Sequence, residues 1–232
     1  MALPVYLAMT GSEFLRAKSL PGKLAWMACH FSCYGTGLSN LPPRLPEGAM
    51  LIVNDRMPIE QHDPKQIASE LAFLTQTLPI GSVLLDFQRQ DCPALSAVAE
   101  AVRHALTLPV GITQYYAKGL DCAVFLPPPP PHCTLGDYLA QWQGRQIWLE
   151  AALENQTVTV TPNGTTISDP VAYQPCEPSF ENEKLHCRYH TSISDTRVVF
   201  TLFRTHENLK ALLDEAERLG VNRAVGLYQQ FI

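Results

Sequence analysis

Two carboxylates stand alone inside apolar runs. Asp86 lies in Val83-Leu-Leu-Asp-Phe87 and Glu150 in Ile147-Trp-Leu-Glu-Ala151. Burying an unpaired carboxylate costs several kcal/mol or forces it to take up a proton, so each needs a partner or a solvated cleft. Pointing into one mouth, the two would suit the acid and nucleophile of a sugar-cleaving pair. At about 5 to 5.5 Å apart they would retain anomeric configuration, and farther apart they would invert it. The bland alternative is a structural ion pair with an arginine such as Arg56 or Arg145. Other apolar runs also close on polar residues: Thr10, His30 with Ser32, Asn54 with Asp55, Gln88, Gln114 with Tyr115, and Tyr228 with Gln229. Amides, phenols and an imidazole are hydrogen-bonding groups that a sugar cleft uses. Asp86 and Glu150 are therefore the catalytic candidates, with His30, Asn54, Gln88, Gln114, Tyr115 and Tyr228 as substrate-binding candidates.

Other chemistries find less support. Cys33 follows His30 closely enough for a thiolate and imidazole pair, but no third, orienting residue can be assigned. Cys29-His30-x-x-Cys33 and His186-Cys187-x-x-His190 could be imagined as one metal site. Neither has the spacing of a zinc knuckle, and His186, Arg188 and His190 alternate as one strand face, so no metal is expected. No glycine-rich phosphate loop is present and no cofactor is expected. A net charge of -5 with no run of Lys or Arg longer than one residue argues against a basic nucleic-acid surface. No apolar run approaches the roughly 20 residues that span a bilayer. The N-terminal run has no basic residues ahead of it, which argues against a secretory signal. Seven irregularly spaced cysteines then read as reduced thiols, and the expected location is cytoplasmic.

The elements that must position these residues are short, nearly continuous apolar runs, as in parallel strands buried on both faces. They fall at 5–10, 24–30, 50–55, 82–88, 110–116, 122–126, 147–151 and 224–230. Helix signals intervene at 65–74 after Asp63-Pro64, at 92–106 and at 206–219 after Thr205, with a short one at 138–142. Between the last two runs lie two alternating pairs: a hairpin about Pro162-Asn-Gly164, and 185–193 with 197–204. The loop-rich region of Cys176 connects them. Phe200 to Arg204 also reads as a ninth parallel strand, which an eight-stranded barrel has no room for.

The expected fold is α/β: a trimmed (β/α)8 TIM-like barrel, one domain over 1–232, with 153–205 as an antiparallel insertion before the last strand. Setting the insertion aside leaves about 180 residues, against about 250 for a full barrel, so helices should be missing near the bare turn at 117–121. Trp148 is expected in the barrel wall or facing the helix layer. Pro127 to Pro131, five consecutive prolines, reads as a stiff polyproline connection or as a docking site for a protein partner.

Gly81-Ser-Val-Leu-Leu-Asp86-Phe87-Gln88 resembles the strand-4 signature of the family-18 glycoside hydrolases, the chitinase-like barrels, which reads Asp-Gly-x-Asp-x-Asp-x-Glu. Asp86 matches the last Asp, which in that family orients the substrate acetamide, and Gln88 falls on the catalytic Glu. Leu84 replaces the middle Asp, and Gly81-Ser82 replaces the leading pair. Ala28-Cys-His-Phe-Ser32 and Thr113-Gln-Tyr-Tyr116 are compatible with the second- and sixth-strand segments of that family.

The resemblance implies a carbohydrate or glycan ligand at the C-terminal strand ends. The family's Glu protonates the leaving oxygen, whereas an amide has no proton to give near neutral pH. Binding without chitinase-type turnover is therefore the first expectation. An active glycosidase using Asp86 and Glu150 is the second. A non-enzymatic protein-interaction scaffold is the third.

Overall fold

The computed structural model describes residues 2–34, 37–168 and 178–231. The connection containing Cys176 lies outside them. Contacts divide the chain into two compact units. One is Pro4–Leu126, Arg145–Glu150 and Asn222–Ile232, and the other is Met1–Leu3, Pro127–Gly144 and Ala151–Val221.

The first unit is a closed barrel of eight parallel strands. Its strands are β1 (Val5–Met9), β2 (Leu24–Phe31), β4 (Ala49–Asn54), β5 (Ile80–Asp86), β6 (Val110–Thr113), β7 (Ala123–Leu126), β8 (Ile147–Ala151) and β14 (Arg223–Leu227). They run in the order β1-β14-β8-β7-β6-β5-β4-β2, and β1 pairs with β2 to close the ring. A two-residue strand, β3 (Leu38–Ser39), lies antiparallel on β2. The eight runs read from sequence are the eight barrel strands.

Alternate strand residues fill the lumen: Tyr6 and Ala8, Ala25, Met50 and Ile52, Leu84, Ala123 and Phe125, Trp148, and Val225. Trp148, expected in the wall, instead fills this interior at 1% exposure. The space for its indole comes from Gly111, where an added Cβ would lie 2.2 Å from the ring.

Helices α2 (Pro64–Thr77) and α3 (Pro93–Ala105) follow their sequence signals. Asp63 caps α2 through the Lys65 amide, and both helices begin with proline. Ile67, Leu71 and Leu74 of α2, and Leu95, Val98, Ala99 and Val102 of α3, are buried. No helix joins β6 to β7. Arg145 holds that turn instead, donating from Nη2 to the carbonyls of Ala117, Leu120 and Cys122. A short helix, α1 (Gly11–Arg16), went unread in the sequence although Thr10 and Glu13 form its capping box.

The second unit holds a five-stranded antiparallel sheet: β9 (Asn155–Thr161), β10 (Gly164–Ser168), β11 (Phe180–Asn182), β12 (Cys187–Ser194) and β13 (Arg197–Phe203). Its order is β10-β9-β13-β12-β11. Phe200 sits in β13, paired antiparallel with β12 and β9, so the ninth parallel candidate is a sheet strand. His186 precedes β12 in a turn with φ +46, not on a strand face, and its ring meets Glu215 of α5 (His206–Arg218). Thr205 caps α5, and Gly220 at φ +84 ends it.

A short helix, α4 (Leu135–Leu139), and a 3-10 turn (Ala140–Trp142) follow the proline run. The run is built into this unit. Arg204 Nη1 donates to the Pro129 carbonyl at 2.5 Å, Cys187 Sγ to that of Pro131 at 3.6 Å, and the Tyr138 hydroxyl to that of Pro127 at 3.0 Å. Pro129 and Pro131 are buried. Among the described residues no helix is long and apolar enough to cross a membrane.

Candidate functional site

The lumen parity decides what faces the mouth of the barrel. Two residues beyond Leu84 is Asp86, two beyond Trp148 is Glu150, two beyond Ile52 is Asn54, and two beyond Ala8 is Thr10. All four polar residues line one cleft of about 720 Å3 at the C-terminal strand ends. His30 reaches the same cleft by a break in parity. Ala25 and Met27 of β2 face the lumen, then the register with β4 slips between Trp26 and Cys29, after which Ala28 and His30 turn inward.

Asn54 supports that bulge. Its amide donates to the carbonyls of Met27 at 3.2 Å and Cys29 at 3.0 Å, and its oxygen accepts from the Arg56 amide. Both of its amide protons are therefore committed to backbone. His30 is fixed in turn. A carbonyl only accepts, so Nδ1 donates to Phe31 O at 2.7 Å, leaving Nε2 to accept from the Asn40 amide at 2.9 Å. Both ring nitrogens are thus occupied, and the exposed Cys33 thiol has no base in His30.

At the end of β5, Gln88 Nε2 donates to Asp86 Oδ1 at 2.5 Å. Burial pushes the Asp86 carboxyl above the usual aspartate range; the Gln88 hydrogen bond opposes this and the nearby Asp55 charge adds to it. Asp55, 7% exposed, shapes the segment that carries Gln88. Its Oδ1 accepts from the Gln88 amide at 3.0 Å. Its Oδ2 accepts from the Arg89 amide at 2.8 Å and from Arg89 Nε at 3.3 Å. Arg89 also reaches Glu60 at 3.2 Å. Arg89 is thus an arginine partner of Asp55 beside the cleft, while Arg145 Nη2 is taken by carbonyls.

Three expected residues lie elsewhere. Strand β6 ends at Thr113, whose hydroxyl donates to Phe87 O, and the chain turns at once, with Tyr116 N and Ala117 N both bonded to Thr113 O. Gln114 and Tyr115 ride on that turn and do not line the cleft. Strand β14 ends at Leu227, and Tyr228 enters a 3-10 turn (Tyr228–Gln230), lining a smaller depression with Glu13 and Arg16. In their place the cleft gains Asn40, Arg56 and Arg89. Arg56 and Arg89 were within reach of sequence reading, lying two and three residues past the ends of their strands.

Burial pushes Cys29 up to about 12, with Glu70 adding, and pushes Cys187 up to about 11. Among the described residues, no group of three or more His, Cys, Asp or Glu is placed to hold a metal ion.

No family model matches the sequence, and no curated protein matches it. Solved structures do resemble the fold. The spore cortex-lytic enzyme SleL of Bacillus cereus superposes with a TM-score of 0.58 at 9% identity, over 97% of this chain and 70% of that one. SleL of Bacillus megaterium gives 0.58 at 12% identity, with the same coverage. The chitinase of Chromobacterium violaceum gives 0.55 at 9% identity, covering 99% of this chain and 95% of that one. At these identities the likeness is one of fold alone, an eight-stranded parallel α/β barrel.

Proposed function

We propose that the cleft binds a carbohydrate, a fragment of an amino-sugar glycan of the kind found in chitin or spore cortex, without turnover by a chitinase-type acid. The observation that carries this reading is the Gln88 amide hydrogen-bonded to Asp86 inside the cleft. In the family that the β5 segment resembles, a carboxylic acid stands where Gln88 does and delivers a proton to the leaving oxygen. An amide can hold a sugar hydroxyl or acetamide but cannot make that transfer. Asp86 remains as an acceptor for an acetamide N–H or a hydroxyl, and the Asp55 clamp holds the segment in place. Calorimetric titration with chitooligosaccharides and with peptidoglycan fragments, alongside an assay for new reducing ends, tests it. Heat of binding without new ends is expected, whereas release of reducing ends overturns the claim of no turnover.

One observation favours a second reading, an active glycosidase. Asp86 and Glu150 share the cleft, and burial holds the Asp86 carboxyl in the direction of a general acid. Chromogenic glycosides offered to the wild type, Asp86→Asn and Glu150→Gln decide it. Turnover abolished in both variants supports that reading, and equal rates in all three remove it.

A further inference from the structure

Two arginines line the cleft, and the chain uses them differently. Arg89 is spent on structure. Its Nε donates to Asp55 Oδ2 at 3.3 Å, its Nη1 to Glu60 Oε1 at 3.2 Å and its Nη2 to the Met57 carbonyl at 3.3 Å. Each nitrogen of that guanidinium thus holds part of the loop that follows β4, and two acids answer its charge.

Arg56 stands on the same loop, two residues past Asn54 at the end of β4. Its backbone is fixed, because its amide donates to Asn54 Oδ1 at 3.2 Å and the adjoining Asp55 is clamped to the Gln88 and Arg89 amides. Its guanidinium is not. The side chain is exposed, and among the described residues no ion pair or side-chain hydrogen bond engages it. Asp55, the nearest carboxylate in sequence, gives both of its oxygens to the segment at 88–89. A cation without a counter-charge is therefore held on a fixed backbone in the wall of the cleft.

The carboxylates of the cleft give it a direction. Glu150 belongs to β8, four strands from β4 either way round the closed ring, and so stands on the opposite wall. Asp86 is nearer, on the strand beside β4 as the register partner of Asn54, but burial pushes its carboxyl toward the protonated form and weakens the like charge an anion would meet.

We infer that the ligand carries a carboxylate on its sugar, as a uronic acid or an ether-linked acid does, and that Arg56 receives it on the β4 side of the mouth. This rests on the reading of the cleft as a carbohydrate site. A guanidinium offers two parallel N–H donors to one carboxylate, and such a charge-assisted pair is stronger than the neutral contacts open to an uncharged sugar. A phosphate would call for more donors than the cleft has. The sequence holds no glycine-rich phosphate loop, and the second arginine is already engaged. The net charge of -5 draws no anion from a distance, so the selection is made by contact at Arg56.

Calorimetric titration of the full chain with three related sugars tests this: the disaccharide of N-acetylglucosamine and N-acetylmuramic acid, its methyl ester, and chitobiose. The free acid should bind at least about tenfold more tightly than the ester or chitobiose. Arg56→Gln, at an exposed position, should bring the acid down to the affinity of its own ester, and Arg56→Lys should keep part of the preference. Arg197→Gln removes the same charge from the first residue of β13 and should keep all of it. An acid that binds the wild type no more tightly than its ester overturns the inference while leaving the carbohydrate reading in place, as does a preference that survives in Arg56→Gln. Silence from all three sugars overturns the carbohydrate reading and the inference with it.

Discussion

The Gln88 side chain donates to Asp86 Oδ1 at 2.5 Å inside the cleft at the end of β5. Two alternate residues of one strand line thus meet head to side, and the acceptor is a carboxyl that burial has already made reluctant to ionise. The predictions below follow from this pair and from what holds it.

Asp86 binds its proton more tightly in the folded chain than in the unfolded one. The native state therefore holds more protons between the usual aspartate pKa, about 3.9, and the raised value, and stability falls as pH rises through that window. Asp86→Asn removes the cost while keeping an oxygen for Gln88. The variant should melt above the wild type near neutral pH, with the difference closing as pH falls toward the ordinary aspartate range. Thermal unfolding across pH reads this directly. A variant less stable than the wild type at neutral pH contradicts it.

Asp55→Ala strips the acceptor from the Gln88 and Arg89 amides and from the Arg89 guanidinium at a nearly buried site. A loss of about 2 to 4 kcal/mol is expected in urea unfolding. Glycan affinity should fall as well, because the segment carrying Gln88 loses its clamp. Stability within about 0.5 kcal/mol of the wild type, the usual range for an inconsequential surface change, would show that Asp55 holds nothing.

Asn54→Ala leaves the Met27 and Cys29 carbonyls without a donor at the β2 bulge. It should cost about 1 to 3 kcal/mol. His30 depends on the bulge for its inward direction, so its NMR resonances should shift in the variant. Unchanged stability with lost glycan binding would instead make Asn54 a ligand contact.

Gly111→Ala drives a Cβ into the Trp148 ring. Overpacking of this kind costs about 1 to 3 kcal/mol, and Trp148→Leu in the same chain should return part of it. A double-mutant cycle with no coupling between the two positions contradicts the contact.

The sequence was most legible where burial dictates composition. The eight barrel strands are buried on both faces, so runs such as Leu51-Ile-Val53 and Val124-Phe-Leu126 announce themselves. Phe200 misleads for the same reason: an apolar sheet face writes the same letters, and only pairing distinguishes them. Which residues line the cleft was legible where strand parity carries into the mouth, as at Asp86, Glu150 and Asn54. It was not where the strand stops early. Thr113 ends β6 through a hydrogen bond to Phe87 O, a partner 26 positions away, and so Gln114 and Tyr115 leave the mouth. His30, named from its place at the end of its run, reaches the mouth by a bulge that no local pattern announces. Arg89 goes unread because what draws it in is Asp55, 34 positions away.

The most direct measurement is calorimetric titration of chitooligosaccharides into the wild type, Asp86→Asn and Gln88→Glu, with reducing ends assayed in the same samples. The account predicts binding without new reducing ends in the wild type and affinity weakened at least about tenfold in Asp86→Asn, the loss of a charged hydrogen-bond acceptor. It also predicts measurable turnover only in Gln88→Glu, where a carboxylic acid again stands beside Asp86. No heat from the wild type with any of these sugars, or equal affinity in the wild type and Asp86→Asn, would contradict it.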